Sequence, residues 1–154
     1  MAYKENASGY FKETMKIYIA GPFFNEKEIN NVKYVEKLLS DRGISYFSPM
    51  RHKVEDEEPG TIAWAKKIFE IDTTAMEDCD AVLILYYGNY SDTGTAWECG
   101  YAYAKGKSVL LVHIDGNDSN LMIHCGCHSN IDLSELAGYD FDSMPVYDYT
   151  GKMF

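Results

Sequence analysis

Basic residues are scarce in this chain. Fourteen Lys and Arg stand against 24 Asp and Glu, so the 154 residues carry a net charge of −10. Proteins that grip a phosphate backbone rely on basic faces, so nucleic acid is excluded as a partner, and an anionic membrane surface with it. No apolar run approaches the ~20 residues of a membrane helix. The first residues, MAYKENASGYFKET, lack the apolar centre of a signal peptide and are read as a short extension, 1–14, ahead of one domain over 15–154. Without an export signal, the four cysteines are expected as reduced thiols of a cytoplasmic protein. Several catalytic motifs are also missing. There is no GxGxxG, no GxxxxGK[ST] and no GxSxG, which argues against a dinucleotide, a P-loop phosphate and a hydrolase nucleophile elbow. The His124-Cys-Gly-Cys-His128 run sets its ligands too close for usual structural zinc and has no second Cys pair nearby, so no metal is expected.

What the chain does have is an apolar supply of 46% and a rhythm of short apolar runs alternating with helical spacing. Lys16–Ala20, residues 44–48, Ala81–Tyr86 and 108–112 read as strands, and 144–149 reads as a last edge strand. Between them, Ile29, Val32, Val35, Leu38 and Leu39 mark a helix over 26–42, with Asn25 as its cap and Gly43 as its stop. Trp64, Ile68, Ile71 and Ala75 mark a second helix over 61–77, where they are expected to face the core. Residues 50–60 form a charged loop, and short helices are expected at 120–124 and 131–137. Strands alternating with helices imply an α/β fold: a flavodoxin-like, doubly wound, five-stranded parallel sheet of order 2-1-3-4-5 in a three-layer sandwich.

The organising stretch is Asp92 to Lys107, DTGTAWECGYAYAKGK, a loop and helix between two strands. Its spacing puts Glu98 in the first turn, at the sheet edge where such folds bind ligands. One explanation is structural: Thr95 caps the helix and Glu98 reaches back to a free backbone N–H. The other is chemical. Tyr18, Gly21, Phe23, Phe24, Asp72, Asp92 and Glu98 converge on the same edge, and paired carboxylates around an aromatic pocket suit glycosidic chemistry. Asp72, on the flank of its helix stripe, is a candidate acid with a pKa raised by desolvation. Cys99 is expected to be packed rather than reactive.

KIYIAGPFFN, IDTTAMEDCDAVLILYY, DTGTAWECGYAYAKGKSVLLV and NLMI, in this order, resemble the nucleoside 2-deoxyribosyltransferase family. The resemblance implies that Glu98 attacks C1′ of a 2′-deoxynucleoside, releases the base and holds the sugar until a free nucleobase takes it. It implies that Tyr18 positions Glu98, that Phe24 stacks on the base and that Asp72 exchanges its proton. Gly21 and Phe23 line the substrate, and Asp92 meets the sugar or base. Asn120 and Met122 belong to a segment that meets a neighbouring subunit's pocket in a hexamer built as a trimer of dimers. No metal or organic cofactor is implied. A base-reading glutamine has no counterpart in 50–60, which leaves Arg51 and His52 as candidates, and the tail YDYTGKMF ends in Phe154 rather than tyrosine. Two rivals remain open: a 2′-deoxynucleoside 5′-monophosphate N-glycoside hydrolase, and a non-catalytic nucleoside-binding module.

Overall fold

Short runs of branched aliphatic residues give the main sheet its strands, because such side chains pack well on a pleated surface. In the computed structural model, which describes residues 3–5, 11–13, 15–88, 92–115 and 119–153, these are β3 (Lys16–Ala20), β4 (Ser45–Phe47), β5 (Ala81–Tyr86), β6 (Ser108–His113) and β7 (Ser129–Asp132). They pair in parallel in the order β4-β3-β5-β6-β7. In chain order that is 2-1-3-4-5, as the alternation of elements requires. Ahead of the sheet, β1 (Tyr3–Glu5) and β2 (Phe11–Glu13) pair antiparallel with each other. Residues 1, 2, 6–10 and 14, and Phe154 at the tail, lie outside the described residues.

Alternation along the strands divides the core in two. Ile17 and Ile19 point to the side of α1 (Glu26–Asp41), among Val32, Val35, Leu39 and Leu136. Tyr18 and Ala20 point to the other side, among Ala75 and Met76 of α2 (Ile62–Asp78) and Cys99 and Ala102 of α3 (Thr93–Ala104). Helices thus cover both faces, and β5, at the centre, is buried along its whole length. Gly21 follows β3 because a Cβ there would come within 2.9 Å of the Leu85 Cβ. Among the described residues no helix is long and apolar enough to cross a membrane.

Three expectations need correction. The fifth strand is β7, not 144–149: Met144 has φ 44 and Pro145 brings no N–H, so the segment cannot open as a regular ladder. It runs beside β7 instead, with the Asn130 N–H donating to the Tyr147 carbonyl at 2.8 Å and the Tyr147 N–H donating to Ser129 Oγ at 2.9 Å. In α2, only Ala75 of the predicted stripe is fully buried, with Met76 beside it, while Trp64, Ile68 and Ile71 are half-buried against a cavity. And α3 starts at Thr93, three residues earlier than a Thr95 cap allows, which puts Glu98 in its second turn. The short helix after β6, α4 (Leu121–Cys125), lies where it was expected.

Candidate active site

The cavity opens at the C-terminal ends of β3, β4 and β5 and has a volume of about 810 Å³. Four segments wall it: the loop from Gly21 to Phe24, the loop after β4, the outer turns of α2, and the start of α3. Each is held by a local device. Asn25 caps α1 by accepting from the Glu28 N–H at 3.0 Å, and Glu28 reaches back to accept from the Phe24 N–H at 2.7 Å, so the loop bearing Phe23 and Phe24 is tied to the helix. Phe24 is left 79% exposed at the cavity, a large apolar ring with a face to offer. After β4, Glu36 is buried and accepts from Ser48 Oγ at 2.6 Å and from Arg51 Nε at 3.0 Å. Burial raises the Glu36 carboxyl, but the bonds from Arg51 and Ser48 more than offset this and leave it below the ordinary glutamate range. Arg51 is therefore committed to Glu36, and of the two base-reading candidates it is His52 that lines the cavity.

At the start of α3, Asp92 is the cap. Its Oδ2 accepts from the Thr95 N–H at 2.9 Å and from the Thr95 hydroxyl at 3.2 Å. This is the capping role that sequence spacing offered to Thr95 and Glu98, and it leaves Glu98 without it. Glu98 instead accepts from Tyr18, whose hydroxyl donates to Oε1 at 2.6 Å across 80 residues of chain. Tyr18 is 0% exposed, so its ring is held by the core while its hydroxyl reaches the cavity edge.

The carboxyls are unusual in their titration. Burial pushes Glu98 up to about 7; the bond from Tyr18 lowers it, and the charges of Asp72 and Asp92 raise it further. Burial alone pushes Asp72 up to about 6. Tyr18 lies well above the ordinary tyrosine range, first through burial and then through the charges of Glu98 and Asp72, and so it remains a donor. Near neutral pH the pair shares a proton that rests on Glu98, the group with the higher value, more than on Asp72, so Glu98 as carboxylate with Asp72 as acid is the less populated of the two arrangements. That pair suits a displacement at a carbon bearing a basic leaving group.

Of the residues named from sequence, Gly21, Phe23, Phe24, Asp72, Asp92 and Glu98 line one cavity, and Tyr18 joins it through Glu98. Asn120 and Met122 do not line it. Asn120 caps α4 by accepting from the Met122 N–H at 2.9 Å, and Met122 is 74% exposed. Sequence reasoning missed Phe69 and Trp97 as wall residues; their rings meet at a tilt of 56° with centroids 5.3 Å apart. The stripe of α2 was a signal for this wall, read as core. In the His124–His128 run, the Cys127 thiol donates to the Ile123 carbonyl at 2.9 Å and His128 Nε2 donates to the Met144 carbonyl at 2.7 Å. Cys99 is buried as expected, its Sγ 3.8 Å from that of Cys127.

A family model described as nucleoside 2-deoxyribosyltransferase matches residues 17–140. A nucleoside deoxyribosyltransferase of Lactobacillus leichmannii is 32% identical over 153 residues, covering 90% of this chain and 97% of its own. A solved 2-deoxyribosyltransferase structure from Bacillus psychrosaccharolyticus is 37% identical with a TM-score of 0.81, over 87% of this chain and 98% of its own. A CMP N-glycosidase of Clostridium botulinum shares the fold, at 18% identity and a TM-score of 0.59, over 80% of this chain and 95% of its own.

Proposed function

The chain belongs to the nucleoside 2-deoxyribosyltransferase family of pentosyltransferases, and from that premise we propose that it moves 2-deoxyribose between purine or pyrimidine bases through a covalent deoxyribosyl–Glu98 intermediate, in nucleoside salvage in the cytoplasm. The observation that carries this reading is the 2.6 Å bond from buried Tyr18 to Glu98 at the edge of a cavity shared with Asp72. In the first half-reaction a Glu98 oxygen forms a bond to C1′ as the N-glycosidic bond breaks. The electron pair of that bond goes to the base nitrogen, which takes a proton from Asp72. In the second half, a nitrogen of another base attacks C1′, Glu98 leaves as carboxylate, and Asp72 recovers the proton. Tyr18 bonds Oε1, which favours the anion and leaves Oε2 for attack. Phe24 and Phe23 supply apolar ring surface for a base, with Gly21 beside them.

Residues 15–154 act as one domain in this reading, with 1–14 as an extension. Asn120 and Met122 serve the pocket of a neighbouring copy in a hexamer made of dimers. A slow 2-fluoro nucleoside analogue is expected to add one sugar mass to the peptide containing Glu98, and Glu98→Ala to abolish both labelling and base exchange. Exchange that survives in Glu98→Ala would sink the covalent mechanism.

The substrate is a nucleoside rather than its 5′-phosphate. The N-terminus of α3 is the place where a phosphate would find free N–H groups, but the Asp92 carboxylate already caps it. Two unit charges at ~4 Å repel by about 4 kcal/mol at an effective dielectric near 20. Side-by-side kcat/KM values for deoxyadenosine and its monophosphate are expected to favour the nucleoside, and Asp92→Ser to narrow the gap while keeping a good cap. Equal use of both by the wild type would favour the N-glycoside hydrolase.

A further inference from the structure

Phe47 ends β4 and does not line the cavity, yet its ring lies between two residues that meet it. On one side it stacks on Tyr18, with centroids 5.5 Å apart and planes 10° apart. On the other it stacks on His52, at 4.1 Å and 9°. The first contact is built into the sheet, because Tyr18 and Phe47 are register partners across β3 and β4. The second is built into the loop, whose start is anchored by Ser48 and Arg51 on buried Glu36.

The column has a mechanical consequence. The hydroxyl of a tyrosine sits at the far end of a lever that turns about two torsions. To donate to one carboxylate oxygen at 2.6 Å, the ring must keep one plane. Phe47 covers a face of that ring, and His52 closes the column beyond it.

We propose that Phe47 is a positioning residue: stacked between Tyr18 and His52, it fixes the Tyr18 hydroxyl on Glu98. This deepens the function proposed above and rests on it for the kinetic readout alone. The groups that act on Glu98 are Tyr18 from β3, Asp72 from α2 and Asp92 at the cap of α3; Cys79 also acts on Tyr18. Tyr18 is the one among them that favours the Glu98 anion. A loosened Tyr18 ring therefore leaves burial and two carboxylates unopposed, and Glu98 titrates at higher pH.

The test needs no turnover. The Glu98 carboxyl is titrated by difference infrared spectroscopy, with Glu98→Gln as the reference. Phe47→Leu is expected to move its titration up by roughly one pH unit, the size of a hydrogen bond lost from a charged group. Phe47→Tyr, which keeps the stack, is expected to restore the wild-type value. In a Tyr18→Phe background, Phe47→Leu is expected to add nothing, because the path through the hydroxyl is already gone. His52→Ala, at an exposed position that folding does not need, gives a smaller shift in the same direction and decides the matter if Phe47→Leu does not fold. In kinetics, Phe47→Leu is expected to lower kcat about tenfold with KM little changed. A folded Phe47→Leu with unmoved titration, the same shift in both Tyr18 backgrounds, or no shift in His52→Ala when that variant decides, overturns the proposal. Failure of the transferase reading would appear separately, as base exchange absent from the wild type while the titration results stand.

Discussion

Glu98 and Asp72 titrate at about 7 and about 6, close enough that the pair holds a single proton between those values. Attack needs that proton on Asp72 and the charge on Glu98, the less populated of the two arrangements because Glu98 has the higher value. The kcat/KM profile is therefore expected to be a narrow bell with limbs near pH 6 and pH 7, belonging to the pair rather than to either residue; a flat profile from pH 5 to 9 would contradict it. Tyr18→Phe keeps the ring in the core but removes the donor, so Glu98 holds the proton still more firmly and the rate at the maximum is expected to fall at least tenfold. The same shift has a stability cost of opposite sign to that of an ion pair. Glu98 binds its proton more tightly folded, at about 7, than at its ordinary 4.5, so the folded state holds more protons across that window and stability falls as pH rises through it. Above pH 7 the full penalty is in place, on the order of 1–3 kcal/mol for a partly buried group. Glu98→Gln is thus expected to melt higher than wild type at pH 8, by about 2–4 °C per kcal/mol, and to match it near pH 4. Scanning calorimetry at the two pH values checks this.

At the scale of elements, α1 and the loop after β4 are joined by one ionic contact. Arg51→Ala leaves buried Glu36 with Ser48 as its remaining side-chain partner and is expected to lower the urea midpoint at pH 7. Glu36 is depressed when folded, so this contribution is present above the ordinary carboxyl value and is lost as pH falls through the folded one. The variant and wild type should converge in acid. The elements also show what the sequence could reveal. The strands β3, β5 and β6 were legible because a strand buried on both faces has almost no polar residue, and α1 because its cap and stop residues are local. The face of α2 was legible as apolar, but periodicity reports which side is apolar and says nothing of whether a sheet or an empty cavity covers it. The fifth strand was misplaced because SNID, four residues at a sheet edge, is too short and polar to stand out, while 144–149 carries the more strand-like composition and only its backbone at Met144 and Pro145 rules it out. Glu98 was placed correctly at the sheet edge, but its bond to Tyr18 spans 80 residues, beyond the reach of any local pattern.

The whole molecule has more exposed apolar surface at the cavity mouth than a solitary domain needs. Phe24, Phe69 and Trp97 are 79%, 56% and 48% exposed there, and Ile62 and Met122 are each 74% exposed elsewhere on the chain. Sedimentation is expected to find a multiple of the 17.5 kDa chain. Met122→Asp is expected to weaken assembly and turnover together; a fully active monomer would overturn the assembly reading. One feature of the sheet reaches beyond the enzyme to the cell that makes it. Tyr18 belongs at once to the buried packing of β3 and to the chemistry of Glu98, whereas Asp72 stands on the rim of the cavity. Inactivating lesions at these two positions should differ in their fate. A chain with a small residue at 18 is short of a core ring and is degraded, so it disappears from the soluble fraction. A chain with asparagine at 72 persists at normal abundance as inert protein, still able to occupy places in an assembly. If the proposed assembly forms, loss through the sheet is expected to be recessive and loss through the rim to interfere with the good copies around it.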